Sequence, residues 1–212
     1  MKKRCPLAIG TILILGFFSV VSAMPSPCAK SGMTALRADD GRGFLFFAYR
    51  EGPDVYFAIE GKEISFPDGT KGPKRFFVDG ILFETIFVRL SDFMKPDKTL
   101  ADLEVLKKHR EYEFDYILKT PTVMRKLEEL GPRVKNGSNG QPSFTFYLWA
   151  IVDPKNETGA RQYFLTTVSG GEVAVLSAIV TDQSAEDGAM RAFESYASSF
   201  RHVLKKEDCP EK

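Results

Sequence analysis

The stretch SFTFYLWAIV at residues 143–152 decides the fold, because it is rich in aromatic and β-branched side chains and contains no breaker. Two similar stretches follow it, at residues 161–168 and 172–180. Asp153-Pro154 opens the first connection, and Ser169-Gly170-Gly171 makes the second a tight turn. The spacing predicts a three-stranded antiparallel meander.

Upstream of the meander, two further β-like regions are separated by turn sequences. Residues 43–49 and 55–59 flank Glu51-Gly52-Pro53-Asp54, which predicts a hairpin. Residues 76–90 form the longest β-like run, and Asp79-Gly80 within it indicates a turn or a bulge.

Three helices are predicted around these strands. Thr99 is the expected N-cap of the first, over residues 100–118, although residues 111–116 also alternate as a strand would. A short second helix over 123–130 is expected to stop at Gly131-Pro132. Ser184 and Asp187 resemble a capping box that begins the last helix.

This order predicts an α+β fold in which a single antiparallel sheet is packed with helices. We expect a signal peptide at 1–23, a loose N-terminal segment at 24–42, a single domain at 43–204 and a C-terminal tail at 205–212. No internal repeat and no domain linker interrupts the sequence.

The C-terminal half resembles the PsbP/Mog1-like α/β/α sandwich family. The resemblance is carried by the meander with its glycine turn, the capped final helix and the closing Ser198-Ser199-Phe200-Arg201, and it spans residues 76–203 in element order. It implies the sandwich fold and favours a binding or accessory protein over an enzyme. It transfers no functional residue to this chain.

The N-terminus predicts export. Lys2, Lys3 and Arg4 precede an uncharged, largely apolar run over 6–21, which fits a signal peptide better than a membrane-spanning helix. Small residues before Met24 predict cleavage between Ala23 and Met24. An uncleaved anchor and a lipoprotein modified at Cys28 are the alternatives. We expect a periplasmic or secreted protein that meets the membrane only through its leader.

Charge and cysteine content restrict the mature chain further. Its formal charge falls from +1 to about −2 without the leader, which gives no electrostatic argument for binding nucleic acid. Cys28 and Cys209 remain, one near each end, and are expected to form a disulfide in an oxidising compartment. Two unpaired thiols are the alternative.

No catalytic residue, metal site or cofactor is predicted from the sequence. His109 could act as a general base with Glu113, or simply lie on a solvated helix face. Tyr147 and Trp149 share one face of their strand, which either lines a second buried layer or forms a ligand-binding surface. The basic loop at 71–75 could meet an acidic partner.

These observations predict an exported, non-enzymatic binding or accessory protein with an unknown protein or small-molecule partner. An extracytoplasmic hydrolase and a structural protein of the cell envelope are the alternatives. An exposed aromatic patch at Trp149 would favour the first class, and a cleft holding His109 beside a buried acid would favour the second.

Overall fold

The computed structural model describes residues 32–50, 53–67, 75–95, 99–118, 126–135, 143–152, 160–204, 206 and 209. The signal peptide, the cleavage site after Ala23, Cys28 and most of the basic loop at 71–75 lie outside these residues. The strands are β1 (Gly32–Arg37), β2 (Gly43–Tyr49), β3 (Val55–Glu60), β4 (Ile64–Ser65), β5 (Arg75–Val78), β6 (Ile81–Arg89), β7 (Lys126–Lys135), β8 (Phe144–Val152), β9 (Arg161–Ser169), β10 (Glu172–Val180) and β11 (Arg201–His202), and the helices are α1 (Asp102–Leu118) and α2 (Gln183–Ser199).

The larger sheet has seven antiparallel strands in the order β4-β5-β6-β10-β9-β8-β7. Its centre is the meander expected from the sequence, with β10 over the predicted residues. Asp79 and Gly80 have φ angles of 50° and 80°, so they form the tight turn between β5 and β6. The long β-like run at 76–90 is therefore a hairpin.

The prediction of a single sheet is wrong, because a second sheet has the order β1-β2-β3-β11. The β2–β3 hairpin cannot join the meander at its edges, since β6 and β7 already pair with β10 and β8. It is also apolar on both faces: Phe46 and Phe57 enter the main core, whereas Phe47 and Tyr49 form a separate cluster. A strand pair with two apolar faces is buried best as a layer of its own.

Part of the segment predicted to be loose is ordered. Gly32–Arg37 pairs with β2 along its whole length as strand β1, from Gly32 opposite Tyr49 to Arg37 opposite Phe44. The short local sequence carries little β signal, and the pairing depends on the neighbouring strand.

The second helix predicted over 123–130 is also absent from the described part of the chain, where Lys126–Lys135 is strand β7. Pairing with the apolar β8 outweighs the local helix preference of Leu-Glu-Glu-Leu. Gly131, with φ of 96°, follows a bulge, and Pro132 is tolerated because β7 is an edge strand.

Both long helices are confirmed with small shifts at their starts. The first begins at Asp102 rather than residue 100, and the strand-like alternation at 111–116 lies within it. The last is capped by Asp182, whose carboxylate accepts a hydrogen bond from the Ala185 backbone N–H at 2.9 Å. Asp182 thus replaces the predicted Ser184 as the N-cap.

The layers place α2 and the smaller sheet on one face of the seven-stranded sheet, and α1 on the other. The main core joins Phe46 and Phe57 of the small sheet, Phe146 of β8 and Tyr196 of α2. A second core lies beneath α1, around Leu106 and Trp149. In the described residues, neither helix is long and apolar enough to cross a membrane.

Candidate functional site

Tyr147 and Trp149 are not a ligand surface in the structure. Both are buried beneath α1, and the Trp149 ring stacks on Phe164 with centroids 4.1 Å apart. The Tyr147 hydroxyl accepts a hydrogen bond from Arg110 at 2.7 Å, which ties helix to strand. The sequence left two interpretations open, a second buried core layer and a ligand-binding surface. This packing supports the buried core layer and counts against an exposed aromatic patch.

His109 is buried rather than solvated. Its side chain has no exposed surface, and its ring meets Phe93 edge to face. Among the described residues neither ring nitrogen makes a hydrogen bond, and Nε2 lies 3.6 Å from Glu113 Oε1. Burial lowers the His109 pKa to about 4 and raises that of Glu113. Glu113 is half-buried, with 27% of its side chain exposed, whereas the His109 ring has no exposed surface for a substrate to meet.

Ser169 and His202 come together at the junction of the two sheets. The Ser169 hydroxyl lies 3.0 Å from His202 Nε2, and Arg50 pairs with Glu172 beside them. Burial and, after it, the charge of Arg50 lower the pKa of His202, which favours the neutral imidazole. A serine and a neutral histidine can form a nucleophile and base. Ser169 is only 2% exposed, however, so the contact links the sheets and offers no path to a substrate.

A groove open to solvent lies beside the N-terminal half of α2. Its volume is about 800 Å³. Four chain segments form it: residues 41–42, residues 60–62, the β5–β6 turn at 78–83, and the end of β10 with the start of α2. We call this feature the α2 groove.

Close backbone packing shapes the α2 groove. A Cβ atom at Gly61 would lie 2.2 Å from Val78 Cγ1, and one at Gly188 would lie 2.5 Å from Ile81 Cδ1. Glycine at both positions therefore lets the walls approach the hairpin. The groove is a built feature of the fold, because larger side chains at these positions would push its walls apart.

Asp79 holds one wall in place. Its Oδ1 accepts hydrogen bonds from the backbone N–H groups of Lys62 and Glu63, both at 2.9 Å, and its own N–H donates to the Glu63 carbonyl. The turn at Asp79-Gly80 is thereby fixed to the β3–β4 connection.

We expect Asp79→Ala to lower the free energy of unfolding by about 2 kcal/mol, because it loses two charge-assisted hydrogen bonds. Asp79→Asn is the matched control, since it keeps an acceptor oxygen and tolerates the positive φ. Urea unfolding measures both variants. Equal losses for alanine and asparagine would contradict this role of the Oδ1 atom.

The groove combines apolar lining residues with charged residues of both signs. Ile81 and Leu82 are half-buried in it, and Ile179 is 45% exposed. Lys62 and Arg191 are exposed lining residues, and within the described part of the chain neither forms an ion pair. Among the lining carboxylates, Asp79 and Asp182 already accept backbone hydrogen bonds. Glu60 is a third, exposed lining carboxylate and Arg42 is a third lining cation, so the formal charges of the lining balance.

Sequence reasoning did not find this groove, because its lining comes from four separate parts of the chain. One signal was present: Gly188 lies inside the amphipathic pattern of the last helix, where glycine costs about 1 kcal/mol relative to alanine. Of the residues described, no cluster of three or more His, Cys, Asp or Glu side chains could hold a metal ion.

No protein-family model matches the sequence, and no curated protein matches it either. Among solved structures, the chain is similar to cyanobacterial PsbP (CyanoP) from Synechocystis sp. PCC 6803, at 12% identity and a TM-score of 0.45. The alignment covers 82% of this chain and 94% of that chain. The resemblance stated from the C-terminal half is thus found again in the structure comparison, and it concerns the fold alone.

Proposed function

We propose that the protein is an exported, non-enzymatic binding or accessory protein that holds its ligand, or a segment of its protein partner, in the α2 groove. The α2 groove itself carries this proposal. It is open to solvent, its volume suits a small molecule or a few residues of chain, and it combines apolar and charged groups.

The chemistry of the lining suits an amphipathic ligand with polar or charged groups. Apolar parts of such a ligand would cover Ile81, Leu82 and Ile179, while its charged groups would meet Lys62 and Arg191 or Glu60. Charged lining residues chiefly steer association and set orientation, whereas the apolar residues supply the larger share of the affinity.

Export supports the same function from the sequence side. The basic, apolar and small-residue regions of the first 23 residues are those of a cleavable leader. Delivery to the periplasm or to the medium fits a protein that works by binding outside the cytoplasm.

The hydrolase alternative has less support from the geometry. His109 and Ser169 are both buried, whereas the described lining residues of the α2 groove include neither histidine nor cysteine. The α2 groove is consequently the better place to look for a bound molecule.

We expect the variant Ser184→Trp to abolish binding, because residue 184 is an exposed groove residue and the indole would fill the cavity. Gln183→Trp is the matched control, since it is its exposed helix neighbour but not a lining residue. Native mass spectrometry of protein purified from its exporting host measures the co-purified mass. Loss of that mass in Ser184→Trp but not in Gln183→Trp supports the site, whereas equal retention in both variants contradicts it.

A further inference from the structure

In the described part of the chain, α1 covers only part of the sheet face on which it packs. The helix packs on β8 and β9, and its core reaches Val175 of β10. Beyond that point Ile86 of β6 is 43% exposed and Ile179 of β10 is 45% exposed. The two side chains lie on the same sheet face and are separated by the pair of Glu84 and Ser177.

Strand register shows that these side chains form one surface. Leu82 lies directly opposite Ile179 on one side and Phe77 on the other, so the three share a face. Glu84 is the next residue of β6 on this face, and it lies opposite Arg75. Ile86 follows Glu84 on the same face of β6. Successive same-face residues are about 6.7 Å apart along a strand. We call this surface the open sheet face; it consists of Arg75, Phe77, Leu82, Glu84, Ile86 and Ile179.

The charges on the open sheet face are balanced. Arg75 and Glu84 lie 3.5 Å apart as an ion pair, with side chains 59% and 37% exposed. An exposed pair of this kind adds little stability to the monomer. A surface with one cation, one anion and apolar neighbours offers no preference for a strongly charged partner.

The same pattern is self-complementary. A two-fold axis running along the strands between β5 and β6 would set Arg75 of one copy against Glu84 of the other, and Phe77 against Leu82. Each contact would occur twice, as two-fold symmetry requires. Ile86 and Ile179 would flank these contacts and exclude water from them.

We propose that the open sheet face is the interface through which two copies of this chain form a symmetric dimer. The occupant is a second copy because the face complements itself in both charge and apolarity. This interface shares Leu82 and Ile179 with the lining of the α2 groove, whereas Arg75, Phe77, Glu84 and Ile86 belong to the open sheet face alone.

Sedimentation velocity of the full mature protein over a concentration series tests the proposal. We expect a concentration-dependent dimer that Ile86→Asp weakens at least about tenfold. Tyr116→Asp is the matched control, because Tyr116 is a 69% exposed residue of α1 and is not one of the residues of the open sheet face. Equal weakening by both variants would overturn the proposal, as would a wild-type protein that stays monomeric up to about 0.5 mM.

Charge reversal provides a second test that does not depend on the apolar substitution. Arg75→Glu and Glu84→Arg should each weaken the dimer, because each places like charges together across the axis, and the double reversal should restore it. Failure of the double variant to regain dimerisation would contradict the proposed pairing of Arg75 with Glu84 across the axis. Ser184→Trp should leave the dimer unchanged, so this test and that of ligand binding can fail separately.

Discussion

Replacing Cys209 with serine is expected to lower the free energy of unfolding by about 5 kcal/mol, since a disulfide with Cys28 would close almost the whole chain. Cys209 is half-buried against the cluster of Phe47, Tyr49 and Val203 on the outer face of the small sheet. Gly32 pairs with Tyr49 of the same cluster. Cys28 precedes Gly32 by four residues, a span of at most about 14 Å of extended chain. The described residues therefore bring both ends of the domain to one region, as the predicted pairing requires.

Urea unfolding with and without reductant measures this effect. Wild-type protein should lose the same stability on reduction, while Cys209→Ser should be insensitive to reductant. The intact mass of the exported protein gives an independent readout. It should match a chain that begins at Met24, and a thiol label should find no free thiol before reduction. Free thiols in the exported protein, or an unchanged stability of Cys209→Ser, would contradict the disulfide.

Acidification is expected to destabilise the protein by about 3 kcal/mol through His109 alone. Its pKa is 6.5 in an unfolded chain and about 4 when folded, because burial disfavours the charged ring. Between those two values the unfolded state binds more protons than the folded state, so stability is present above pH 6.5 and is lost as the pH falls towards 4. The raised pKa of Glu113 acts with the opposite sign and offsets part of this loss.

Variants of the two residues separate these contributions. His109→Leu should remove most of the pH dependence between 6.5 and 4, whereas Glu113→Gln should steepen it. Lys108→Gln, a change at the next helix position, is the control and should leave the profile as in wild type. Unfolding free energies across this range, together with the NMR titration of the His109 ring, measure the effect. If the unfolding free energy of His109→Leu depends on pH as steeply as that of the wild type, His109 is not the source of the pH dependence.

The sequence predicted those elements whose signals are local. The meander over β8, β9 and β10 was readable from aromatic and β-branched runs between turns. The two long helices were readable from their apolar stripes, whereas the predicted capping box at Ser184 missed the N-cap at Asp182. Strands β1 and β7 were not predictable in this way, because these segments become strands only through pairing with β2 and β8. The choice between one sheet and two depends on the same long-range pairing.

The candidate site was less predictable than the fold. Tyr147 and Trp149 were correctly placed on one strand face, but sequence alone could not tell whether α1 would cover it. The burial of His109 had a signal, since it follows Val105 by four residues and Leu106 by three, and both are buried. The α2 groove requires segments far apart in the chain to meet, so only Gly188 pointed to it.

Site-specific photo-crosslinking in the exporting host tests the central claim, that the α2 groove is where this protein binds. A photoreactive residue at position 184 should capture one defined ligand or partner, and the same residue at position 183 should not. An excess of Ser184→Trp protein without the photoreactive residue should not reduce the crosslinked product. The same excess of Gln183→Trp protein should remove that product. A product formed equally from both positions, or no product from position 184, would contradict the account.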